Sequence, residues 1–226
     1  MRSTFSQPYD EEFARRCIKL LFPQMFSELE LNKNDPPDLV DEKSNIGIEV
    51  VRAIENEDAE LSNAFATYRN KHISSVPDKL KKKITLGFKG LVCDNDGIII
   101  GANFGVKDNL YKTIEERIQA KSKRLNAIGH LKLNTNGLFI YNSHGFCFEN
   151  DLNALLHKLS NNYANIKLFD FIIIYCSHEV WYCDIKLQSI SCRRLNDRQI
   201  EALKKETLEA IGRAKEYSGK LYFISD

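Results

Sequence analysis

The stretch that decides the fold runs from Asp35 to Ala53 and reads DPPDLVDEKSNIGIEVVRA. Two short apolar runs, residues 38–41 and 46–51, flank a polar loop, and the second run is rich in β-branched residues. This pattern predicts two strands joined by a turn. Residues 9–22 carry apolar side chains at helical spacing. The segment therefore predicts an amphipathic helix followed by a pair of strands.

The rest of the chain alternates between the two periodicities. Further helices are predicted at residues 55–72, 108–128, 150–161 and 196–216. Further strands are predicted at residues 28–31, 84–93, 98–100, 138–142, 169–176, 179–186 and 221–224. Alternation without internal repeats or a Gly/Pro-rich linker predicts an α/β fold, a central mixed β-sheet flanked by helices, in a single domain over residues 1–226.

Composition limits the class of protein. The chain has 226 residues, of which 43% are hydrophobic and 28% charged, with a net charge of +1. This balance favours a soluble protein with a sizeable core. No run approaches the ~20 apolar residues of a membrane span, and the first residues lack a secretory signal. We therefore expect a cytoplasmic protein with no membrane partner. Its six cysteines lack zinc or redox spacing, so they are expected to be free thiols.

Two carboxylates in the opening stretch are candidates for chemistry. If the two strands pair as a hairpin, Asp38 and Glu49 can reach the same place. Gly47 lies on the same face as Glu49 and is expected to leave space for a ligand or backbone. A carboxylate in an apolar strand is costly, and two facing carboxylates repel each other, but a divalent cation removes both problems. The alternatives are a turn residue for Asp38 and a salt bridge for Glu49.

The residues Pro37-Asp38 and Glu49-Val50-Val51 resemble the hallmark of the PD-(D/E)xK nuclease superfamily. The resemblance implies a restriction-endonuclease-like fold and a nuclease that uses Mg²⁺ or Mn²⁺ to hydrolyse nucleic acid, with DNA as the expected substrate. Many enzymes of this type dimerise, so a homodimer is open, although no segment indicates an interface. Val51 stands where the superfamily has a lysine. The alternative is an inactive module that binds nucleic acid or a protein partner.

Lys121 is the best candidate to replace the missing lysine. It falls in the apolar stripe of helix 108–128, between Ile118 and Leu125, so it is expected on the inward face. There its ammonium could orient water or hold the scissile phosphate. The alternative is a side chain that extends along the helix edge to solvent. The weaker candidates are Arg69, Lys71 and Lys123, whereas Arg52 alternates to the face opposite Glu49.

The superfamily often adds a glutamate from the first helix, which implies Glu11 as a third metal ligand. Glu11 is expected at the edge of the apolar face, and Glu12 is expected to point away from it. The alternative for Glu11 is a favourable interaction with the helix dipole. The lysine-rich run at residues 79–83 is expected either to contact phosphates or to be a solvated connector.

Overall fold

The computed structural model describes residues 6–33, 36–53, 56–84, 90–103, 110–125, 133–142, 147–162 and 168–213. The helices are α1 (Ser6–Leu21), α2 (Asn56–Tyr68), α3 (Asp78–Ile84), α4 (Leu110–Leu125), α5 (Glu149–Asn162) and α6 (Asp197–Ala210), with a 3₁₀ turn at Ile73–Ser75. The strands are β1 (Glu30–Leu31), β2 (Leu39–Asp41), β3 (Ile46–Arg52), β4 (Gly90–Cys93), β5 (Ile99–Asn103), β6 (Thr135–Asn142), β7 (Phe171–Cys176), β8 (Glu179–Asp184) and β9 (Ser189–Arg194).

The described residues form two compact units. The first holds the residues up to Ala53 and those from Leu110 onward, and the second holds the residues between them. The second unit contains α2, α3 and the two-stranded sheet of β4 and β5. The single domain over residues 1–226 stays a prediction.

A seven-stranded mixed sheet forms the centre of the first unit. Its strand order is β1-β2-β3-β6-β7-β8-β9. The three central strands β3, β6 and β7 run parallel to one another, and the neighbouring strands on either side pair antiparallel. The α/β class with a mixed sheet flanked by helices is therefore confirmed.

Alternating side chains of the strands build one hydrophobic core on each face of the sheet. On the first face, Phe13 and Ile18 of α1 and Leu203 of α6 pack against strand residues that include Val50 and Phe139. The second face is covered by α4 and α5, whose buried residues include Ile114, Ile118, Leu152, Leu155 and Leu159. Because each face of β3 meets a different helix layer, the face of a β3 residue decides which helix its side chain can reach.

Most of the predicted elements of the first unit are confirmed with small shifts at their ends. Helix α6 stops at Ala210 rather than 216, because Gly212 adopts a left-handed φ of 77° that suits glycine. It begins with a capping box in which Asn196 and Gln199 bond each other's backbone N–H groups. The predicted strand 221–224 lies outside the described residues. Strand β9 was not predicted.

In the second unit the strand prediction over 84–93 is wrong at its start. Ile84 belongs to helix α3 (Asp78–Ile84), β4 is described over Gly90–Cys93, and residues 85–89 lie outside the described residues. Pro77 and Asp78 supply the reason, since proline before and an acidic residue within the first turn favour a helix start. The lysines of the 79–83 run thus lie on a helix, where Lys81 pairs with Asp78 at 3.3 Å.

In the described part of the chain, none of the helices combines the length and the apolar composition that a membrane span requires.

Candidate functional site

The hairpin of β2 and β3 brings Asp38 and Glu49 opposite each other. The strands pair antiparallel with Leu39 opposite Ile48, so Asp38 and Glu49 form the next facing pair. One carboxylate oxygen of Asp38, Oδ2, accepts a hydrogen bond of 2.6 Å from the backbone N–H of Val50. Both side chains are buried, with relative exposures of 5% and 4%. Two carboxylates are therefore held beside each other out of water.

Helix α4 supplies the positive charge that these carboxylates need. Glu49 shares its register with Leu138 of β6, which belongs to the core beneath α4 and α5. From that side, the Lys121 ammonium contacts Glu49 Oε2 and lies 3.8 Å from Asp38 Oδ2. Its side chain is only 14% exposed. Lys121 thus does not extend to solvent, and the structure brings Asp38, Glu49 and Lys121 together.

Burial dominates the electrostatics of Asp38. Burial raises the pKa of Asp38 to about 7, although Lys121 and the Val50 N–H act to lower it. The charges of Glu49 and Glu11 raise this pKa further. The nearby ammonium and the Val50 N–H therefore do not offset the cost of burying this carboxylate in its ionised form. An additional cation would favour the ionised form of Asp38.

Two neighbouring glutamates of helix α1, Glu11 and Glu12, have different surroundings. Glu11 is partly buried, and its negative charge raises the pKa of Asp38. The Glu11 carboxylate therefore lies near the Asp38–Glu49 pair. The expectation that Glu12 points away is wrong, because its side chain is buried and bonds Arg15 and Arg16 at 2.5–2.9 Å. The reason is that α1 also packs against α6, where Arg16 pairs with Glu206 at 2.7 Å.

Arg52 is engaged on the opposite side of β3. Its guanidinium donates two hydrogen bonds of 2.7 Å to Asp10 and lies 5.3 Å from the ring centre of Tyr141. Asp10 and Arg52 are 42 residues apart, and no pattern in the sequence predicts that they pair. Of the weaker lysine substitutes, Lys123 is exposed on α4. In the second unit, Arg69 and Lys71 lie over the rings of Phe65 and Tyr68.

Gly47 does not open a space beside Glu49, contrary to the sequence-based expectation. A Cβ atom at this position would lie 2.5 Å from Leu133 Cδ1 and 2.7 Å from Pro37 Cγ. The glycine instead lets these two side chains close over the strand. Leu133 and Pro37 therefore pack against the backbone of β3 two residues before Glu49.

Cys176 and His178, which are close in the sequence, do not form a thiol–imidazole pair in the structure. Cys176 is buried against Cys147, whereas His178 is exposed and contacts Asp197 at 2.7 Å, so the two do not face each other. His144, which the sequence places in a loop after the predicted strand 138–142 where a catalytic base could lie, is outside the described residues. These observations leave Asp38, Glu49 and Lys121, with Glu11 close by, as the candidate site.

The donor set of this site can accept Mg²⁺ or Mn²⁺. Hard cations prefer oxygen ligands, and Mg²⁺ keeps several waters, so two carboxylates are sufficient protein ligands. Such a cation would also offset the cost of burying the ionised Asp38 carboxylate. Within the described part of the chain, no group of three or more His, Cys, Asp or Glu side chains is arranged to hold a metal. Any cation here would therefore depend on Asp38, Glu49 and ligands from water or substrate.

Comparisons with known proteins yield no relative for this chain. No protein-family model, no curated protein and no solved structure matches it. The site therefore has to be interpreted from its own residues.

Proposed function

We propose that this chain is a metal-dependent nuclease that hydrolyses phosphodiester bonds in nucleic acid, with DNA as the expected substrate. The observation that carries the proposal is the buried Asp38–Glu49 pair with the Lys121 ammonium against it. Burying two facing carboxylates for stability alone is unfavourable. Their positions after Pro37 and inside β3 are those of the acids in a PD-(D/E)xK site, and Lys121 supplies from α4 the ammonium missing at Val51.

The fold supports the proposal at a coarser level. Helix α1 precedes the β2–β3 hairpin, and α4 lies in the chain between β3 and its parallel neighbour β6. This helix, hairpin, helix and parallel strand order is the one expected for a restriction-endonuclease-like domain. It also explains why a lysine on α4 can replace one on β3, since α4 covers the face of β3 that carries Glu49.

Each residue has a distinct part in the proposed reaction. Asp38 and Glu49 would hold Mg²⁺ or Mn²⁺, and the negative charge of Glu11 on α1 would add to their attraction for the cation without a direct bond to it. The divalent cation supplies positive charge against the phosphate being cleaved. Lys121 has three N–H donors and no acceptor. It can therefore donate one hydrogen bond to Glu49 and another to the attacking water or to a phosphate oxygen. The Val50 N–H fixes the orientation of the Asp38 carboxylate.

The proposal is tested by cleavage of plasmid, linear and single-stranded DNA, and of RNA, with Mg²⁺, Mn²⁺ or a chelator. Asp38→Asn and Glu49→Gln keep the side-chain shapes and remove the charges. Both variants, and Lys121→Met, should lower the cleavage rate by about 10²-fold or more. Matched controls on α4 are Glu116→Gln and Lys123→Met, since both side chains are exposed, and these should cleave like wild type.

Two results would reject the assignment. Cleavage that survives Asp38→Asn and Glu49→Gln would place the activity elsewhere or in a contaminant. Metal-independent binding of nucleic acid without cleavage of any substrate would instead support the inactive binding module. Isothermal calorimetry with Mg²⁺ separates these cases, because the module predicts no metal binding that depends on Asp38 and Glu49.

A further inference from the structure

Two buried thiols lie in contact at one end of the sheet, away from the residues assigned to cleavage. Cys176 is the last residue of β7, and Cys147 lies in the segment between β6 and α5. Their Sγ atoms are 2.9 Å apart, and the side chains belong to residues only 1% and 3% exposed. A cysteine that only fills space in a core can be surrounded by apolar side chains. The direct contact between two thiols is therefore a feature that packing alone does not explain.

The surroundings of the pair favour a thiolate on Cys176. The side-chain amide of Asn142, at the end of β6, donates a hydrogen bond of 3.3 Å to Cys176 Sγ. The Cys147 thiol can donate a second one to the same sulfur, and both interactions lower the pKa of Cys176 against the opposing effect of burial. A thiolate is the nucleophilic form of cysteine. The pair thus combines an activated sulfur with a second thiol in contact.

The burial of the pair limits the size of the reagents that can reach it. Phe148, the residue after Cys147, is 63% exposed, whereas Cys147 and Cys176 are themselves only 3% and 1% exposed. Their burial discriminates against bulky reagents and favours a molecule the size of hydrogen peroxide. We propose that Cys176 and Cys147 form a hydroperoxide-reactive dithiol that converts to an intramolecular disulfide.

The chemistry balances with a hydroperoxide as the only co-reactant. The Cys176 thiolate attacks the O–O bond, gains an oxygen as sulfenic acid and expels hydroxide. That hydroxide takes the Cys147 proton, and the resulting thiolate attacks the Cys176 sulfur and expels a second hydroxide. The second hydroxide takes up the proton that Cys176 had lost. Two thiols and one hydrogen peroxide thereby become one disulfide and two waters.

The disulfide would close a ring that contains all of α5. It would join the segment after β6 to the end of β7 and restrict the unfolded chain, so oxidation should stabilise the protein. The consequence is measurable without any assumption about cleavage of nucleic acid: the urea midpoint should rise on oxidation and return to its starting value on reduction with dithiothreitol.

The test is peptide mapping of the full chain after treatment with hydrogen peroxide. The protein is quenched, denatured, alkylated and digested without reduction. A peptide pair joined through Cys147 and Cys176 is expected, with a mass lower by two hydrogens than the sum of the free peptides. Two of the six cysteines should be lost to alkylation. Cys192 is exposed, and Cys192→Ser is the matched control, which should leave this product unchanged.

The variants separate the two roles. Cys147→Ser should stop the reaction at a Cys176 sulfenic acid, which dimedone traps, and Cys176→Ser should abolish both products. The proposal is overturned if wild-type protein, checked as folded by circular dichroism, is oxidised at Cys192 alone while Cys147 and Cys176 stay fully alkylated. It is equally overturned if dimedone labels Cys147 and Cys176 independently without any cross-linked peptide.

Discussion

Replacing Lys121 by methionine should destabilise the protein strongly at pH 8, because it leaves buried carboxylates without their cation. Methionine keeps the apolar stem of lysine and removes only the charge. Asp38 Oδ2 is 3.8 Å from the ammonium, and a pair of unit charges at that distance interacts by about 4 kcal/mol at an effective dielectric constant near 20. Loss of one partner from a buried ion pair costs a similar ~3–5 kcal/mol.

A double-mutant cycle isolates the contribution of Glu49, the direct partner of Lys121. Glu49→Gln removes the opposite charge and should also be destabilising, since it leaves the ammonium with fewer partners. In the combined Lys121→Met and Glu49→Gln variant neither charge remains. Its cost should therefore fall below the sum of the single costs, with a coupling energy of about 1–3 kcal/mol.

The assay is urea unfolding followed by circular dichroism, with a chelator present so that no metal replaces the lost charge. Unchanged slopes in urea would show that the variants alter stability rather than compactness. Lys123→Met is the control on the exposed side of α4 and should lie within about 0.5 kcal/mol of wild type. Strictly additive single costs, or a Lys121→Met cost no larger than the control, would refute the arrangement described for this site.

Three further outcomes are expected. The pKa of Asp38 is about 7 in the folded protein, above the ordinary value of 3.8. Between about pH 4 and 7 the folded protein therefore keeps a proton on Asp38 that the unfolded chain has released. The free energy of unfolding consequently falls as pH rises through this window. Asp38→Asn should remove this fall, so the free energy of unfolding should increase by on the order of 4 kcal/mol at pH 8 and stay unchanged at pH 4. Urea unfolding in the presence of a chelator measures both values. Parallel pH profiles of the variant and the wild type would argue against the shifted pKa. Binding of Mg²⁺ near pH 6.5 should release a proton from Asp38, seen as buffer-dependent heat in calorimetry that Asp38→Asn abolishes. Gly47→Ala should cost about 1–3 kcal/mol because its Cβ would meet Leu133 and Pro37, while Gly101→Ala, whose nearest atom would be 3.6 Å away, should cost less; equal costs would contradict the packing described over β3.

Local periodicity was sufficient to predict the elements that carry the site. The polar loop between two apolar runs fixed the β2–β3 hairpin, and its pairing alone placed Asp38 opposite Glu49. The helical stripe around Lys121 predicted an inward-facing lysine, because a face is a property of spacing within one helix. The catalytic and metal-binding roles of these residues stay predictions.

Contacts between distant segments were not predictable from the sequence. Glu12 was misplaced because its environment depends on α6, whose position relative to α1 has no local signature. The contact of Cys147 with Cys176 depends on how the segment after β6 meets the end of β7. Strand β9 was missed because it lies at the edge of the sheet and is mostly exposed, so its sequence lacks the apolar alternation of a half-buried strand.

The route of the chain between Glu49 and Lys121 has a consequence for how this protein can vary. The two residues are 72 positions apart, and most of the intervening chain belongs to the second compact unit. The entropy lost when a flexible loop closes grows only with the logarithm of its length, so doubling or halving it changes the free energy by only about 0.6 kcal/mol. The interval between Ala53 and Leu110 is therefore a place where related chains could acquire, exchange or lose a whole module while both halves of the site stay in register.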